Sequence, residues 1–142
     1  MLELLTWAVG GILFVLSGMH LYWVFGGQKG TKAAIPSTGT DLLFKPSKIG
    51  TSIVAILLAL AAWFVLQLGG IAPSLVFHIF YSYGAGLLSS LFILRSIGDF
   101  KWVGFFKRKK GTVFAKWDTV LYSPLCFLLG TAILIIMFLR TA

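Results

Sequence analysis

Three stretches of this chain carry no charged side chain: between Glu3 and Lys29, between Lys48 and Arg95, and between Asp118 and Arg140. Crossing the hydrocarbon core of a bilayer takes about 20 mainly apolar residues in a helix. The first and third stretches each hold one such span, and the middle one holds two. Inside lipid every backbone N–H and C=O must find a partner within the chain, which makes these stretches helices. Only 11% of residues are charged and the mean hydropathy is +0.96, too little charge to coat a water-soluble domain. The expected fold is all-α: an integral membrane four-helix bundle in a single domain, residues 1–142, with helices at about 4–25, 49–68, 73–96 and 119–139. No soluble domain, internal repeat or low-complexity segment interrupts it. Met1–Phe25 is expected to be a retained helix rather than a signal peptide, because it has no basic leading segment and no small-x-small cleavage pattern.

The net charge is +8, from 12 lysines and arginines against 4 acids. Those cations flank the apolar runs and alternate with aromatics, so anionic membrane lipid is the expected partner and nucleic acid is not. Four spans put two basic connections on one side: Lys29, Lys32, Lys45 and Lys48 in the first, with Arg95, Lys101, Lys107, Arg108, Lys109, Lys110 and Lys116 around the second. Arg140 alone opposes them. Positive charge marks the cytoplasmic side, so both termini are expected outside the cytoplasm. Each of Lys107, Arg108, Lys109 and Lys110 gains about 1 kcal/mol near an anionic leaflet. With Trp102, Phe105 and Phe106 they form the expected lipid-surface contact.

Within the spans, Gly10, Gly11, Ser17 and Gly18 allow close approach of helix one, and Gly11 and Gly18 share a face. Ala55, Ala59 and Ala62 make a similar stripe on helix two. His78, Ser82, Ser89 and Ser96 align on helix three, where interhelical hydrogen bonding is preferred to a ligand path. Asp41–Phe44 is either a short surface segment or an irregular connector. Asp118 or Thr119 is the expected N-cap of the last helix. Pro124, inside that helix, is expected to kink or loosen its first turn.

The chemistry on offer is sparse. A single cysteine, Cys126, excludes an internal disulfide and a multi-cysteine metal site, and no metal or cofactor is expected. His20 and His78 would lie at depths differing by roughly 15 Å at a rise of 1.5 Å per residue, so one haem does not bridge them in one chain. A single-ligand or inter-chain haem is the weakest of the readings. No acid lies mid-span, as a proton-coupled transporter would need. His20, Arg95, Asp99, Asp118, Tyr122, Ser123 and Cys126 all map to the cytoplasmic ends of their helices. Arg95 and Asp99 would pair if helix three ran through Gly98. The cluster is either a polar pocket for an amphiphile's head, with Cys/His chemistry open to it, or a structural network stitching loop to bundle.

The blocks MHLYWVFGG (19–27), FKP (44–46), RSIGDFKWVGFFK (95–107) and GTVFAKWDTVLYSPLC (111–126) resemble a family of small bacterial four-span membrane proteins, domain of unknown function 3995. The resemblance covers essentially the whole chain, with Trp102 where the family more often has tyrosine. It implies an integral protein of the bacterial cytoplasmic membrane and points to Arg95, Gly98, Asp99, Phe105, Asp118, Tyr122 and Pro124. It implies no activity, substrate or cofactor. The leading expectation is a non-enzymatic accessory or lipid-interacting protein, with a homo-oligomer or another membrane protein as possible partner. The alternative is a membrane-embedded enzyme or carrier acting on an amphiphile at the cytoplasmic interface.

Overall fold

The computed structural model describes residues 1–73 and 78–141. The expected first turn of helix three after Pro73 lies outside the described residues. So does the side chain of His78, and with it the depth of the two histidines. The elements are α1 (Leu2–Val24), α2 (Thr31–Ala34), α3 (Lys48–Leu68), α4 (His78–Ile97), α5 (Val113–Trp117), a π-helical turn (Asp118–Tyr122) and α6 (Ser123–Thr141). Among the described residues there is no strand, only an isolated bridge between Ser37 and Leu42. The fold is all-helical. Asp41–Phe44 is not helical and forms part of an irregular connection.

Three helical segments, Leu2–Val24, Lys48–Leu68 and Val113–Arg140, are long and apolar enough to cross a membrane. Their outward faces are apolar. Trp7, Val15, Ile53, Leu57, Leu60, Leu128 and Phe138 are all exposed, as are Leu87, Leu91 and Leu94 of α4. In water this much uncovered hydrocarbon would drive aggregation; in lipid it costs nothing.

Helix α1 runs antiparallel to α3. Ser17 Oγ donates to the Ala55 carbonyl at 2.7 Å, near one end, while at the other Thr6 stands against Gly69. The face α1 turns to α3 carries Thr6, Gly10, Leu13 and Ser17, all buried. Gly11 and Gly18, expected to share a packing face, instead look onto open space. Gly10 and Ser17, also seven apart, do that work: a Cβ on Gly10 would come within 3.0 Å of Leu66. Helices α4 and α6 form a second antiparallel pair, tied by Ser89 Oγ donating to the Gly130 carbonyl at 2.7 Å. Leu13 of α1, Val65 of α3, Ala85 of α4 and Ile133 and Ile136 of α6 are fully enclosed in one core.

The last helical path departs from expectation in two ways. It begins at Val113, well before Thr119, because Thr112 caps it by accepting the Ala115 N–H at 3.0 Å. Asp118 is therefore no cap but lies within the helix. The loosening expected from Pro124 takes the form of the π turn just ahead of it. Proline offers no N–H and crowds the carbonyl four residues back. That carbonyl belongs to Val120, inside the wider π turn, which accommodates it.

These pairings sort the connections. The α3–α4 turn at Gly69 and Gly70 lies beside Arg140. At the opposite end α2 packs on α5, burying Ile35, Phe114 and Ala115. The two basic connections thus touch.

Candidate functional site

Asp118 is the hub of that end. Its side chain has no exposure to solvent. The carboxylate accepts from Arg95 Nη2 at 3.0 Å through Oδ1, and from the Gly104 N–H at 2.8 Å and Lys107 Nζ at 3.0 Å through Oδ2. Lys107 is buried as well, and its ammonium spends its other donors on the Gly104 carbonyl at 3.0 Å and Thr119 Oγ1 at 2.6 Å. The Thr119 hydroxyl in turn donates to the Ala115 carbonyl at 3.0 Å. One carboxylate thus meets two cations and a backbone N–H. A buried carboxylate is tolerable only with its charge and lone pairs matched in this way.

Lys107 therefore departs from its expected place on the lipid surface. It comes from a run of four cations, of which Arg108, Lys109 and Lys110 are exposed. The chain turns Lys107 inward because the segment after α4 doubles back. Gly98, with φ at +86°, ends α4. Gly104, at +93°, lies directly against it: a Cβ on Gly98 would sit 2.6 Å from the Gly104 Cα and overlap the Val103 carbonyl. Only glycine permits both the left-handed φ and this contact. The Phe105 N–H then donates back to the Ser96 carbonyl at 2.8 Å.

Asp99 does not pair with Arg95, because α4 stops at Ile97 before the two can face each other. Its Oδ1 accepts instead from the N–H groups of Lys101 (3.0 Å), Trp102 (2.7 Å) and Val103 (2.9 Å), folding the loop around itself. Slight burial pushes this carboxyl's pKa up, but the three N–H donors outweigh it and hold the group below the ordinary aspartate value.

This framework leaves the loop's aromatics outside. Phe100 and Phe106 are 57% and 63% exposed, and Phe105 and Trp117 are also uncovered. Phe100 and Phe106 stand 6.2 Å apart, and Lys101 and Lys109 lie 5.9 and 5.6 Å from the centre of the Trp102 ring. An aromatic and cationic surface is thus mounted on a buried ionic clamp.

Of the seven residues expected to cluster, Arg95 and Asp118 bond directly. Tyr122 packs on Phe114, ring centres 6.3 Å apart. Ser123 is buried, and its hydroxyl has no hydrogen-bond partner among the described residues. Cys126 is a free, half-buried thiol. Asp99 belongs to the loop, and His20 lines a separate cleft between α1 and α3. Its Nδ1 bonds the Leu16 carbonyl at 2.7 Å, and its ring meets Trp23 edge-on, centres 5.1 Å apart.

The family described as "Protein of unknown function (DUF3995)" matches residues 13–133. The chain belongs to this family. No curated protein and no solved structure matches it. The part of this DUF3995 chain that matches takes in the whole clamp, the Gly98–Gly104 contact and the His20 cleft. Sequence reasoning named Asp118 and Arg95 but missed Lys107 and Gly104 as their partners. One signal was available: an acid embedded in an apolar helix needs a cation to face it.

Proposed function

We propose that this DUF3995 chain is a non-enzymatic, multi-pass membrane protein whose basic end grips anionic lipid. The observation that carries the reading is how the charges at that end are used. Asp118 is consumed by Lys107, Arg95 and the Gly104 N–H, and Asp99 Oδ1 by three backbone donors. Asp118, fully enclosed, is not free to serve as an acid, a base or a nucleophile's partner, and Asp99, though exposed, spends Oδ1 on shaping its own loop. The exposed groups of the same segment are aromatics and lysines, the composition of a headgroup-level contact.

In this reading α4 is the fourth span of a four-helix bundle in the bacterial cytoplasmic membrane. The two touching basic connections face the cytoplasm and both termini lie outside. A C-terminal reporter that fluoresces only in the cytoplasm is expected to stay dark; a bright one reverses the orientation.

The lipid contact is tested with a chain whose only tryptophan is Trp102, the other four replaced by phenylalanine. In nanodiscs of phosphatidylglycerol its fluorescence is expected to be quenched by lipids brominated near the headgroup end of the acyl chains. Lys101→Gln with Lys109→Gln should weaken that quenching. Quenching by aqueous iodide alone, with no response to brominated lipid, would overturn the reading.

A further inference from the structure

A cleft lies beside the clamp, not within it. About 680 Å³ opens between the last turns of α1, the connection 27–47 and the first turns of α3. Trp23, Ile35, Phe44 and Val54 supply apolar walls, and Lys45 and Lys48 supply cations. No aspartate or glutamate is among the lining residues. Of the His20 ring nitrogens, Nδ1 is committed to the Leu16 carbonyl, which can only accept. Nδ1 therefore carries a proton and donates it to that carbonyl.

We propose that this cleft holds one phosphate-bearing lipid, its headgroup between Lys45 and Lys48 and the upper part of a hydrocarbon tail against Trp23, Phe44 and Val54. Three features select this occupant. The volume falls in the range of about 300–1,000 Å³ typical of small-molecule sites, well beyond what a bare phosphate fills. Two lysines with no lining carboxylate complement one anion. The apolar walls would be wasted on a purely polar solute, while an amphiphile uses both halves. The inference rests on the proposed function in one respect: it needs this end of the helices to lie at the lipid headgroups. It goes further in naming a single stoichiometric site distinct from the aromatic loop surface.

The experiment is native mass spectrometry of the full chain in detergent, titrated with dioleoyl phosphatidylglycerol, dioleoyl phosphatidylcholine or glycerol 3-phosphate. One tightly held phosphatidylglycerol per chain is expected, with phosphatidylcholine and glycerol 3-phosphate each at least about tenfold weaker. Lys45→Gln with Lys48→Gln should weaken phosphatidylglycerol by about tenfold or more. Val54→Trp, which fills the cleft, should abolish the tight site. Thermal unfolding read by a dye reacting with Cys126 checks that each variant is folded, and the lysine pair, being at the surface, keeps the test decisive if Val54→Trp is not. Lys109→Gln with Lys110→Gln, on the loop, should leave the tight site intact. Equal binding of the two lipids would overturn the proposal. So would unchanged affinity in the Lys45/Lys48 variant, or glycerol 3-phosphate binding as tightly as lipid. Loss of the tight site in the Lys109/Lys110 variant with the cleft unaltered would move it to the loop, overturning the cleft while sparing the proposed function. A tight cleft site in a chain whose Trp102 gives no bromolipid quenching would do the reverse.

Discussion

Asp118→Ala is expected to destabilise the chain by about 3–5 kcal/mol, the cost of stranding a buried cation without its partner. The size follows from what is left behind. Lys107 Nζ and the Gly104 N–H both lose their shared acceptor, Oδ2, and the Arg95 guanidinium loses Oδ1. Arg95 is 37% exposed along its side chain and can turn toward water. Lys107 cannot without pulling the loop open. Asp118→Asn keeps the shape and one acceptor oxygen but removes the charge, and should fall between wild type and alanine. The unique thiol at Cys126 gives the readout, a thermal unfolding curve followed by a thiol-reactive dye. Removing the cation together with the anion, as Lys107→Met with Asp118→Asn, should recover part of the loss, because two neutral groups cost less to bury than one unpaired charge.

Gly98→Ala is expected to be nearly as damaging, at about 3 kcal/mol or more. The left-handed φ alone costs an alanine about 1–2 kcal/mol. The remainder comes from sterics: the added Cβ would overlap the Val103 carbonyl and press on the Gly104 Cα. Neither obstacle is the end of a flexible side chain, so the loop itself would have to move. Moving it draws the Gly104 N–H away from Asp118 and undoes the clamp from the other side. Gly111 separates the two contributions. Its φ is +88°, yet nothing lies within 4 Å of where its Cβ would be. Gly111→Ala should therefore show the conformational cost of about 1–2 kcal/mol and no more. Equal losses at Gly98 and Gly111 would mean the glycine contact does not hold the loop.

How much of this was legible without coordinates depends on the range of the interaction. The apolar runs announced helices because a bilayer imposes its thickness on every segment independently, and α1 and α3 begin and end within two residues of expectation. The start of the last helix was missed because Asp118 and Thr119 offered an attractive cap, while Thr112, the cap used, sits just beyond the basic run. Pro124 was read correctly as a disturbance; that a π turn would absorb it is not written in the local sequence. The Arg95–Asp99 spacing suggested a helical pair, but Gly98 stops the helix first, and Asp118, 23 residues away in sequence, takes the arginine. Nothing local distinguishes Lys107 from Lys109 or Lys110. What singles it out is the reversal at Gly98 and Gly104, which aims one side chain of the run at a buried carboxylate. His20 was grouped with the acids on depth alone, and depth does not say which pair of helices a side chain faces.

The central claim is that Lys107 is clamped inside while its neighbours are not, and amine modification measures this directly. Detergent-solubilised protein is treated with an acetylating reagent and the modified lysines are located by mass spectrometry. Lys109 and Lys110 should react readily and Lys107 should stay unmodified in wild type, becoming reactive in Asp118→Asn. Modification of Lys107 at the rate of Lys109 in the wild-type chain would contradict the account.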